Sequence, residues 1–386
     1  MMITDGGFDM SATDKKLGIY IHTPFCLQKC LYCDFCSFPN YTEEMTELYV
    51  KRLTEDIEGY SKSFDGVVDT VYFGGGTPTL LKERQIDSVL GVLNKSFSIS
   101  RGAEITTECN PATADLSYLE NIRNIGINRL SIGLQSANDS ELKALGRAHS
   151  YADFVELYKN ARKAGFDNVS ADLMYGIPHQ SIASFECTLD NICELAPEHI
   201  SAYCLKVEEG TPFGRMKETL SLPDEDTEYD MYMLLGEKLA KSGYDRYEIS
   251  NFARAGFESR HNLKYWTQGE YLGFGVAAHS YFKGERFSNS RDIGAYIRGE
   301  NIEEDRIAIS EKEKMAEYVM LRMRLADGVE FADFKSRFDV EFEAFCGNLD
   351  RYVSAGYIRK DARRVCFTDS GIFVSNTILS DILDFD

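Results

Sequence analysis

The chain has 386 residues, 44% of them hydrophobic, which is enough for two or three domains with ordinary apolar cores. It carries 42 Lys and Arg against 62 Asp and Glu, and the net charge of −20 argues against nucleic-acid or anionic-membrane partners, because both require a cationic surface. No run of about 18 apolar residues occurs, so the sequence predicts no transmembrane segment and leaves open only a peripheral membrane contact.

Residues 1–16 are polar and contain neither the apolar region of a secretory signal nor the Arg-rich amphipathic pattern of a transit peptide. We interpret them as a disordered segment that leads into a cytoplasmic protein. In that reducing compartment, structural disulfides are not expected among the 10 cysteines.

From residue 17 to about 207, short apolar segments alternate with amphipathic ones. The apolar segments predict six strands: Gly18–His22, Thr70–Phe73, Glu104–Glu108, Arg129–Gly133, Val169–Met174 and His199–Leu205. The amphipathic segments predict the helices between them: Glu43–Tyr60, Glu83–Ser96, Asp115–Gly126, Asp139–Ala144, Tyr151–Ala164 and Ile182–Glu194. This alternation favours a parallel α/β sheet with right-handed crossovers, and the number of units fits a partial (βα)6 barrel better than a doubly wound sheet.

The alternation stops after Pro212. A long helix is predicted over Asp224–Ser242, and the segment Tyr244–Phe282 is rich in aromatic residues and glycine. From Glu311 onward the pattern is mostly helical and ends as helix, β-wing and helix. We therefore predict four parts: a disordered N-terminus (1–16), an α/β core (17–212), a helical and aromatic segment (213–300), and an α-rich, winged-helix-like C-terminal domain (301–386).

The loop after the first predicted strand contains Cys26, Cys30 and Cys33, spaced C-x3-C-x2-C. Three thiolates this close can hold a 4Fe-4S cluster and leave its fourth iron open to a substrate. The loop would lie at the carboxyl edge of the sheet, where parallel α/β folds place their sites. Zinc is the alternative, but the next cysteine after Cys36 is Cys109, with no second C-x2-C unit. Cys36 itself is either a spare ligand or a plain thiol.

Polar residues also follow the second and third predicted strands. The glycines of Gly74–Gly76 let backbone amides approach a polar ligand, with the Thr77 hydroxyl beside them, although such a run is also typical of a tight turn. Glu108 is well placed to accept hydrogen bonds from ribose hydroxyls; alternatively, it is an anion at a helix N-terminus.

Three further polar residues fall near the next strand ends. Gln135 follows the fourth strand, Arg147 can bind a carboxylate, and Asp172, within the fifth strand, can accept from hydroxyls. Singly, each is equally well explained as a structural ion pair. Together they can converge on one site.

These segments resemble the radical S-adenosylmethionine (SAM) enzymes. More narrowly, the resemblance is to the branch that contains the oxygen-independent coproporphyrinogen III oxidases (HemN) and the HemW haem chaperones, and it runs from about Leu17 to near the C-terminus. It rests on the cysteine loop and four further segments: Gly74–Thr79, Glu108–Pro111, Arg129–Ser136 and Asp172–Pro178. In that family SAM chelates the open iron. An electron from the reduced cluster then cleaves SAM and gives a 5′-deoxyadenosyl radical.

The resemblance implies roles for residues that match the family's motifs. Cys26, Cys30 and Cys33 would hold the 4Fe-4S cluster. The remaining matched residues would surround SAM: Tyr20 and Tyr32 flank it, Gly75, Gly76 and Thr77 face its methionyl end, Glu108, Arg147 and Asp172 fix its ribose and carboxylate, and Gln135 lies nearby.

Three features resemble the chaperones rather than the oxidases. Phe35 stands where the oxidases have a fourth cysteine, and the N-terminal segment that helps to form the oxidases' substrate site is short here. The run His261–Trp266 matches the HNxxYW motif associated with haem binding, which implies His261 as an axial haem ligand. Without the resemblance, His261 would be interpreted as a structural histidine. His279 is a second candidate ligand, although an ordinary core or loop histidine is the more common reading, and it lies in a stretch where the family usually has glycine near Ala277 or Ala278.

The resemblance thus implies a cytoplasmic haem chaperone that binds haem, a 4Fe-4S cluster and SAM, and that delivers haem to acceptor haemoproteins. A reductant for the cluster would be a further partner. The alternative is an oxygen-independent coproporphyrinogen III oxidase, which decarboxylates coproporphyrinogen III to protoporphyrinogen IX. A radical SAM enzyme that modifies tRNA is a third hypothesis, but it would need a basic surface for RNA.

Overall fold

A computed structural model describes residues 15–347 and 349–383. The first half of the described chain is a series of strand–helix units. Its elements are β1 (Lys16–Thr23), α1 (Glu43–Gly59), β2 (Val67–Gly75), α2 (Glu83–Ser96), β3 (Ser98–Cys109), α3 (Leu116–Ile125), β4 (Arg129–Gln135), α4 (Asp139–Ala144), α5 (Tyr151–Lys163), β5 (Val169–Tyr175), α6 (Ile182–Leu195) and β6 (His199–Cys204). The six strands lie in chain order and pair in parallel, which confirms the predicted α/β partial barrel.

Local sequence explains why these elements form where they do. Leu17, Ile19 and Ile21 of β1 alternate along the strand, lie on one face of it and are fully buried, as expected for the apolar face of a strand. The helix α5 begins at a capping box in which Ser150 and Asp153 satisfy each other's backbone N–H groups. The predicted disordered segment 1–16 lies outside the described residues up to residue 14, and Lys16 is the first residue of β1.

The next segment extends the same sheet at both edges. Its elements are α7 (Pro212–Arg215), α8 (Glu225–Lys241), β7 (Asp245–Arg246), β8 (Asn251–Ala253), α9 (Arg260–Trp266), β9 (Tyr271–Phe274), β10 (His279–Phe282), β11 (Glu285–Asn289), α10 (Ile293–Ile297) and β12 (Glu303–Ala308). Among the described residues the sheet has twelve strands, in the order β12-β11-β10-β9-β1-β2-β3-β4-β5-β6-β8-β7. The segment 213–300 was predicted to be helical and aromatic, and its five strands were missed because strands of two to five residues have too few positions to show alternation.

The short helix α9 packs against β2 and is joined to β3 through Glu104. The backbone N–H groups of Arg260 and His261 donate to the Glu104 carboxylate at 3.2 and 3.1 Å, so this carboxylate caps the helix N-terminus. Lys264 Nζ lies 2.6 Å from an oxygen of Asp69.

The C-terminal part is rich in helices. Its elements are α11 (Glu311–Arg322), β13 (Val329–Glu330), α12 (Phe331–Phe338), α13 (Phe342–Phe345), α14 (Asp350–Ser354), β14 (Ile358–Lys360), β15 (Arg364–Phe367), α15 (Asp369–Phe373) and α16 (Ser375–Ile382). The strands β13, β15 and β14 form a small antiparallel sheet, as a winged-helix-like domain requires. Within 15–347 and 349–383, no helix has both the length and the apolar character needed to cross a membrane.

Candidate functional site

The cysteine loop and the carboxyl ends of the central strands enclose a cavity of about 380 Å³, here called the polar cavity. Eleven of the thirteen predicted site residues line it: Cys26, Cys30, Tyr32, Cys33, Gly75, Gly76, Thr77, Glu108, Gln135, Arg147 and Asp172. The parallel strands bring these residues together although they are spread over about 150 positions of sequence. Tyr20 and His261 do not line the polar cavity.

Backbone hydrogen bonds to distant parts of the chain fix the cysteine loop. The N–H of Leu31 donates to the carbonyl of Leu145 at 3.0 Å, and the N–H of Phe213 donates to the carbonyl of Leu31 at 3.0 Å. The thiols of Cys26, Cys30 and Cys33 are partly exposed, whereas Cys36 is buried. The loop therefore presents three thiols to the polar cavity and turns the fourth away from it.

The three thiols fit a cluster better than a single metal ion. Among residues 15–347 and 349–383, no three His, Cys, Asp or Glu side chains converge as ligands of one ion would. A cubic cluster offers each thiolate its own iron, so its ligands need not converge on one point. Burial raises the pKa of the Cys26 thiol and raises that of Cys33 to about 11, so cluster binding must release protons from these thiols.

Arg147 links the cysteine loop to the strand ends. Its Nη2 donates to Asn110 Oδ1 at 2.6 Å and to the carbonyl of Gly133 at 3.0 Å, and its Nη1 lies 3.6 Å from Cys30 Sγ. Its Nε, like Oε1 of Gln135, is buried and has no partner among the described residues. Buried polar atoms normally have partners, so these two atoms fit a polar ligand in the cavity such as SAM.

The carboxylates of Glu108 and Asp172 face the same cavity. Glu108 accepts from the Tyr72 hydroxyl at 3.0 Å and from the Gly75 N–H at 3.1 Å. Burial, followed by the charge of Asp172, raises the pKa of Glu108 to about 7. Asp172 accepts from the Ser131 hydroxyl at 2.9 Å, and burial raises its pKa as well. Both groups can accept hydrogen bonds from the hydroxyls of a ribose.

The glycine run acts differently from the prediction. The N–H groups of Gly75, Gly76 and Thr77 all donate within the protein, to Glu108 Oε2, to the carbonyl of Thr23 and to the carbonyl of Phe25. They therefore do not form an amide cradle for a ligand. Glycine is needed here for space: a Cβ on Gly76 would lie 2.6 Å from the carbonyl oxygen of Phe25.

Sequence reasoning missed Asn110 as a member of the site. Its Nδ2 donates to Thr77 Oγ1 at 2.7 Å while its Oδ1 accepts from Arg147, so the amide connects two predicted ligand-binding residues. Thr77 Oγ1 in turn lies 3.6 Å from Cys26 Sγ. The Asn-Pro pair that follows β3 was the available signal, since a polar residue at a strand end is a candidate by the same rule as Glu108.

A second, larger cavity of about 1210 Å³ adjoins the first and is here called the aromatic cavity. Five residues line both cavities: Tyr32, Cys33, Phe35, Met174 and Tyr203. The aromatic cavity is lined by residues of β1, of α9 to β10 and of the C-terminal helices. Its wall includes Tyr20, whose hydroxyl pairs with His22 Nδ1 at 3.0 Å.

His261 lines neither cavity. It is 1% exposed, its Nδ1 pairs with Thr70 Oγ1 at 2.9 Å, and its Nε2 pairs with the Tyr265 hydroxyl at 2.8 Å. Burial lowers its pKa to about 3, so the ring is neutral. An axial haem ligand needs a free ring nitrogen that the iron can reach, and His261 has none in this conformation. The expectation of direct ligation is therefore corrected: His261 holds Tyr265, which lines the aromatic cavity.

Comparison with known families and curated proteins gives a consistent result. Residues 20–192 match the radical SAM superfamily, and residues 309–374 match the HemN C-terminal domain. The chain is 31% identical to the heme chaperone HemW of Lactococcus lactis, covering 96% of this chain and 98% of the relative. It is 33% identical to HemW of Bacillus subtilis, with 94% and 98% covered, and 32% identical to HemW of Escherichia coli, with 94% and 97% covered.

Among solved structures, the chain is similar to coproporphyrinogen III oxidase (HemN) from Escherichia coli, described as a radical SAM enzyme. The TM-score is 0.83 at 24% identity, with 96% of this chain and 90% of the other covered. At this identity the likeness establishes the fold.

Proposed function

The chain belongs to the HemW family of the radical SAM superfamily, and on that premise we propose that it is a haem chaperone, which binds haem and passes it to acceptor haemoproteins. The observation that carries the proposal is the pair of adjoining cavities at the cysteine loop. One is the smaller, and it has the donors and acceptors that SAM requires. The other is larger and aromatic, and so suits a flat apolar ring system.

In this proposal Cys26, Cys30 and Cys33 hold a 4Fe-4S cluster. A bound cluster would supply the electron that cleaves SAM. The chain's own residues position the cofactor: Arg147 Nε and Gln135 Oε1 offer unused polar atoms, and Glu108 and Asp172 offer acceptors for hydroxyls. Tyr32 lies where the two cavities adjoin.

The oxidase alternative is not favoured. Phe35 occupies the position at which the oxidases have their fourth cysteine, and its side chain is 66% exposed and lines both cavities. The overall likeness to the oxidase HemN is a likeness of fold. We further propose that the protein works in the cytoplasm with a cellular reductant for the cluster.

Two assays on cluster-reconstituted protein test the function. Under anaerobic conditions with SAM, dithionite and coproporphyrinogen III, we expect no protoporphyrinogen IX. With haem, we expect saturable binding and transfer to an apo-haemoprotein, monitored by the shift of the Soret band. Formation of protoporphyrinogen IX would instead identify an oxidase, and absence of haem binding above background would refute the chaperone.

A further inference from the structure

We propose that haem binds in the aromatic cavity, with His279 as the axial ligand of its iron and Arg324 paired with one of its propionates. This inference rests on the proposed haem-binding function and gives it a place in the molecule. It moves the ligand role from His261 to a histidine that faces the cavity.

The six histidines of the chain differ in whether a ring nitrogen is free. All six lie within the described ranges, and three of them have both ring nitrogens paired: His22, His199 and His261. His149 pairs with the carbonyl of Leu134 at 3.3 Å, and His179 lines neither cavity. His279 is exposed and lines the aromatic cavity, and neither of its ring nitrogens has a hydrogen-bond partner among the described residues. Of the two histidines that line the aromatic cavity, His22 and His279, only His279 has a ring nitrogen that is available to a metal.

A strand of the main sheet carries His279. His279 is the first residue of β10, where it pairs with Ser288 of β11. β10 also pairs with β9, and β9 pairs with β1, so the histidine is carried by the main sheet. A ligand that projects from a sheet strand is held more precisely than one on a loop, as an axial ligand should be.

Aromatic side chains line the same cavity as His279. Tyr265 and Trp266 of α9 and Tyr271 of β9 line the same cavity. The rings of Tyr265 and Tyr271 meet edge to face, with centroids 4.6 Å apart, and His261 fixes the Tyr265 hydroxyl from behind. Flat, fixed aromatic faces suit a porphyrin. The link between the HNxxYW motif and haem then runs through Tyr265 and Trp266, with His261 as a positioning residue.

Within the part of the chain that the structure describes, the aromatic cavity also contains a cation without an acidic partner. Arg324 lines the cavity and donates to Asn376 Oδ1 at 2.9 Å, but no carboxylate lies within ion-pair distance of it among the described residues. Burial lowers its pKa, the direction expected for a cation without a counter-charge. By contrast, Arg291 in the same cavity lies 3.7 Å from Asp34. In a chain with a net charge of −20, a half-buried arginine without an acidic partner indicates an anionic ligand, and a propionate supplies one.

The test is an anaerobic titration of the full-length protein with hemin, followed by the Soret band and by electron paramagnetic resonance of the ferric haem. Wild type should bind saturably and show a nitrogen-ligated iron. His279→Ala should bind at least tenfold more weakly and lose the nitrogen-ligation signature, and added imidazole should restore that signature by filling the vacated space. His179→Ala is the matched control and should behave as wild type. His279→Gln, of similar polarity, repeats the test should the alanine variant fold poorly.

A second titration addresses the propionate. Arg324→Gln should weaken hemin binding at least tenfold, yet leave the binding of hemin dimethyl ester, which lacks propionate charges, within about twofold of wild type. Equal losses for both compounds would overturn the role of Arg324.

The titrations distinguish a failure of the proposed haem binding from a failure of the His279 assignment. Wild type that binds no hemin would refute the proposed function itself. Wild type that binds hemin, with His279→Ala unchanged in affinity and spectrum, would overturn the assignment of His279 and leave the chaperone function standing. Loss of the nitrogen signature in His261→Ala but not in His279→Ala would return the ligand role to His261.

Discussion

Arg147 Nη1 lies 3.6 Å from Cys30 Sγ, and this contact places a full positive charge beside a proposed cluster ligand. A nearby cation stabilises the more negative, reduced state of a cluster, and hydrogen bonds to its sulfurs act in the same direction. A unit charge at such a distance contributes about 1–4 kcal/mol in effective media of intermediate to high dielectric constant. We therefore expect Arg147→Met to lower the reduction potential of the reconstituted cluster by on the order of 50–150 mV.

Arg147→Lys is the matched control for this prediction. It keeps the charge but cannot make the forked contacts to Asn110 and Gly133. Its potential should stay near that of wild type, while SAM binding should weaken about tenfold or more in both variants, because each loses a charged hydrogen bond. Potentiometric titration monitored by electron paramagnetic resonance measures the first quantity. An unchanged potential in Arg147→Met would show that the contact does not reach the cluster.

Cys33 and Cys36 should differ in whether the cluster depends on them. Cys33 lines both cavities, whereas Cys36 lines the aromatic cavity but not the polar one, is 7% exposed, and has its Sγ 3.9 Å from the carbonyl oxygen of Arg291. We expect Cys33→Ala to lose the cluster and Cys36→Ala to keep it, as measured by iron and sulfide content after reconstitution and by the spectrum of the reduced protein. Equal loss in the two variants would make Cys36 a ligand.

The parallel core was predictable because its signal is local. The first strand was predicted over Gly18–His22, and in the structure it extends over Lys16–Thr23. A short apolar run indicates a buried strand without any knowledge of the strands that pair with it. The pairing of β9 with β1 was not predictable. It places Tyr271 opposite Gly18, in two short strands that are some 250 positions apart in the sequence. Neither strand contains a local signal that indicates its partner.

The same limit explains the site. Spacing and strand ends identified ten of the residues that line the polar cavity, because the carboxyl ends of parallel strands meet at one edge of the sheet. The environment of His261 could not be predicted in this way. Its partners Thr70 and Glu104 belong to β2 and β3, which are more than 150 positions away in the sequence. A histidine that faces a cavity also has the same sequence pattern as one that packs against a sheet.

The backbone before His279 gives a stability prediction. Gly275 has φ of +95°, and a Cβ there would lie 2.2 Å from the Tyr49 hydroxyl, which donates to the carbonyl of His22 at 2.8 Å and accepts from the N–H of Val276 at 3.2 Å. Gly275→Ala should therefore destabilise the protein by about 3 kcal/mol or more, because it adds backbone strain and breaks buried hydrogen bonds. Urea unfolding of the cluster-free protein measures the change.

Ala277 provides the opposite case two residues later. It has φ of +54°, in the left-handed region that glycine adopts without strain. Ala277→Gly should leave stability unchanged or raise it by up to about 1 kcal/mol, since relief of strain exceeds or balances the greater freedom of the unfolded chain. A loss of more than about 1 kcal/mol in the same urea series would contradict this reading of the backbone.

Glu248 makes the stability of the fold depend on pH. Its side chain is fully buried, in the segment that joins β7 to β8, and the hydrogen bonds it receives from the Ser250 N–H and the Asn251 side chain only partly offset the cost of burying its charge. Burial raises its pKa from 4.5 to about 7, so the folded state holds this proton more tightly than the unfolded state does. The stabilisation from the protonated form is complete below about pH 4.5 and disappears as the pH rises through 7.

Glu248→Gln keeps the shape of the side chain and removes the ionisation. At pH 8 we expect the variant to be more stable than wild type by on the order of 3 kcal/mol, from about 1.4 kcal/mol per pKa unit, and we expect the difference to shrink towards zero near pH 4.5. Urea unfolding at pH 5 and pH 8 measures both values, with Glu58→Gln as an exposed control that should differ from wild type at neither pH. A carboxyl makes the effect of its replacement depend on pH only if its pKa differs between the folded and the unfolded state. A stability difference that is the same at pH 5 and pH 8 would therefore mean that Glu248 gains or loses no proton on unfolding.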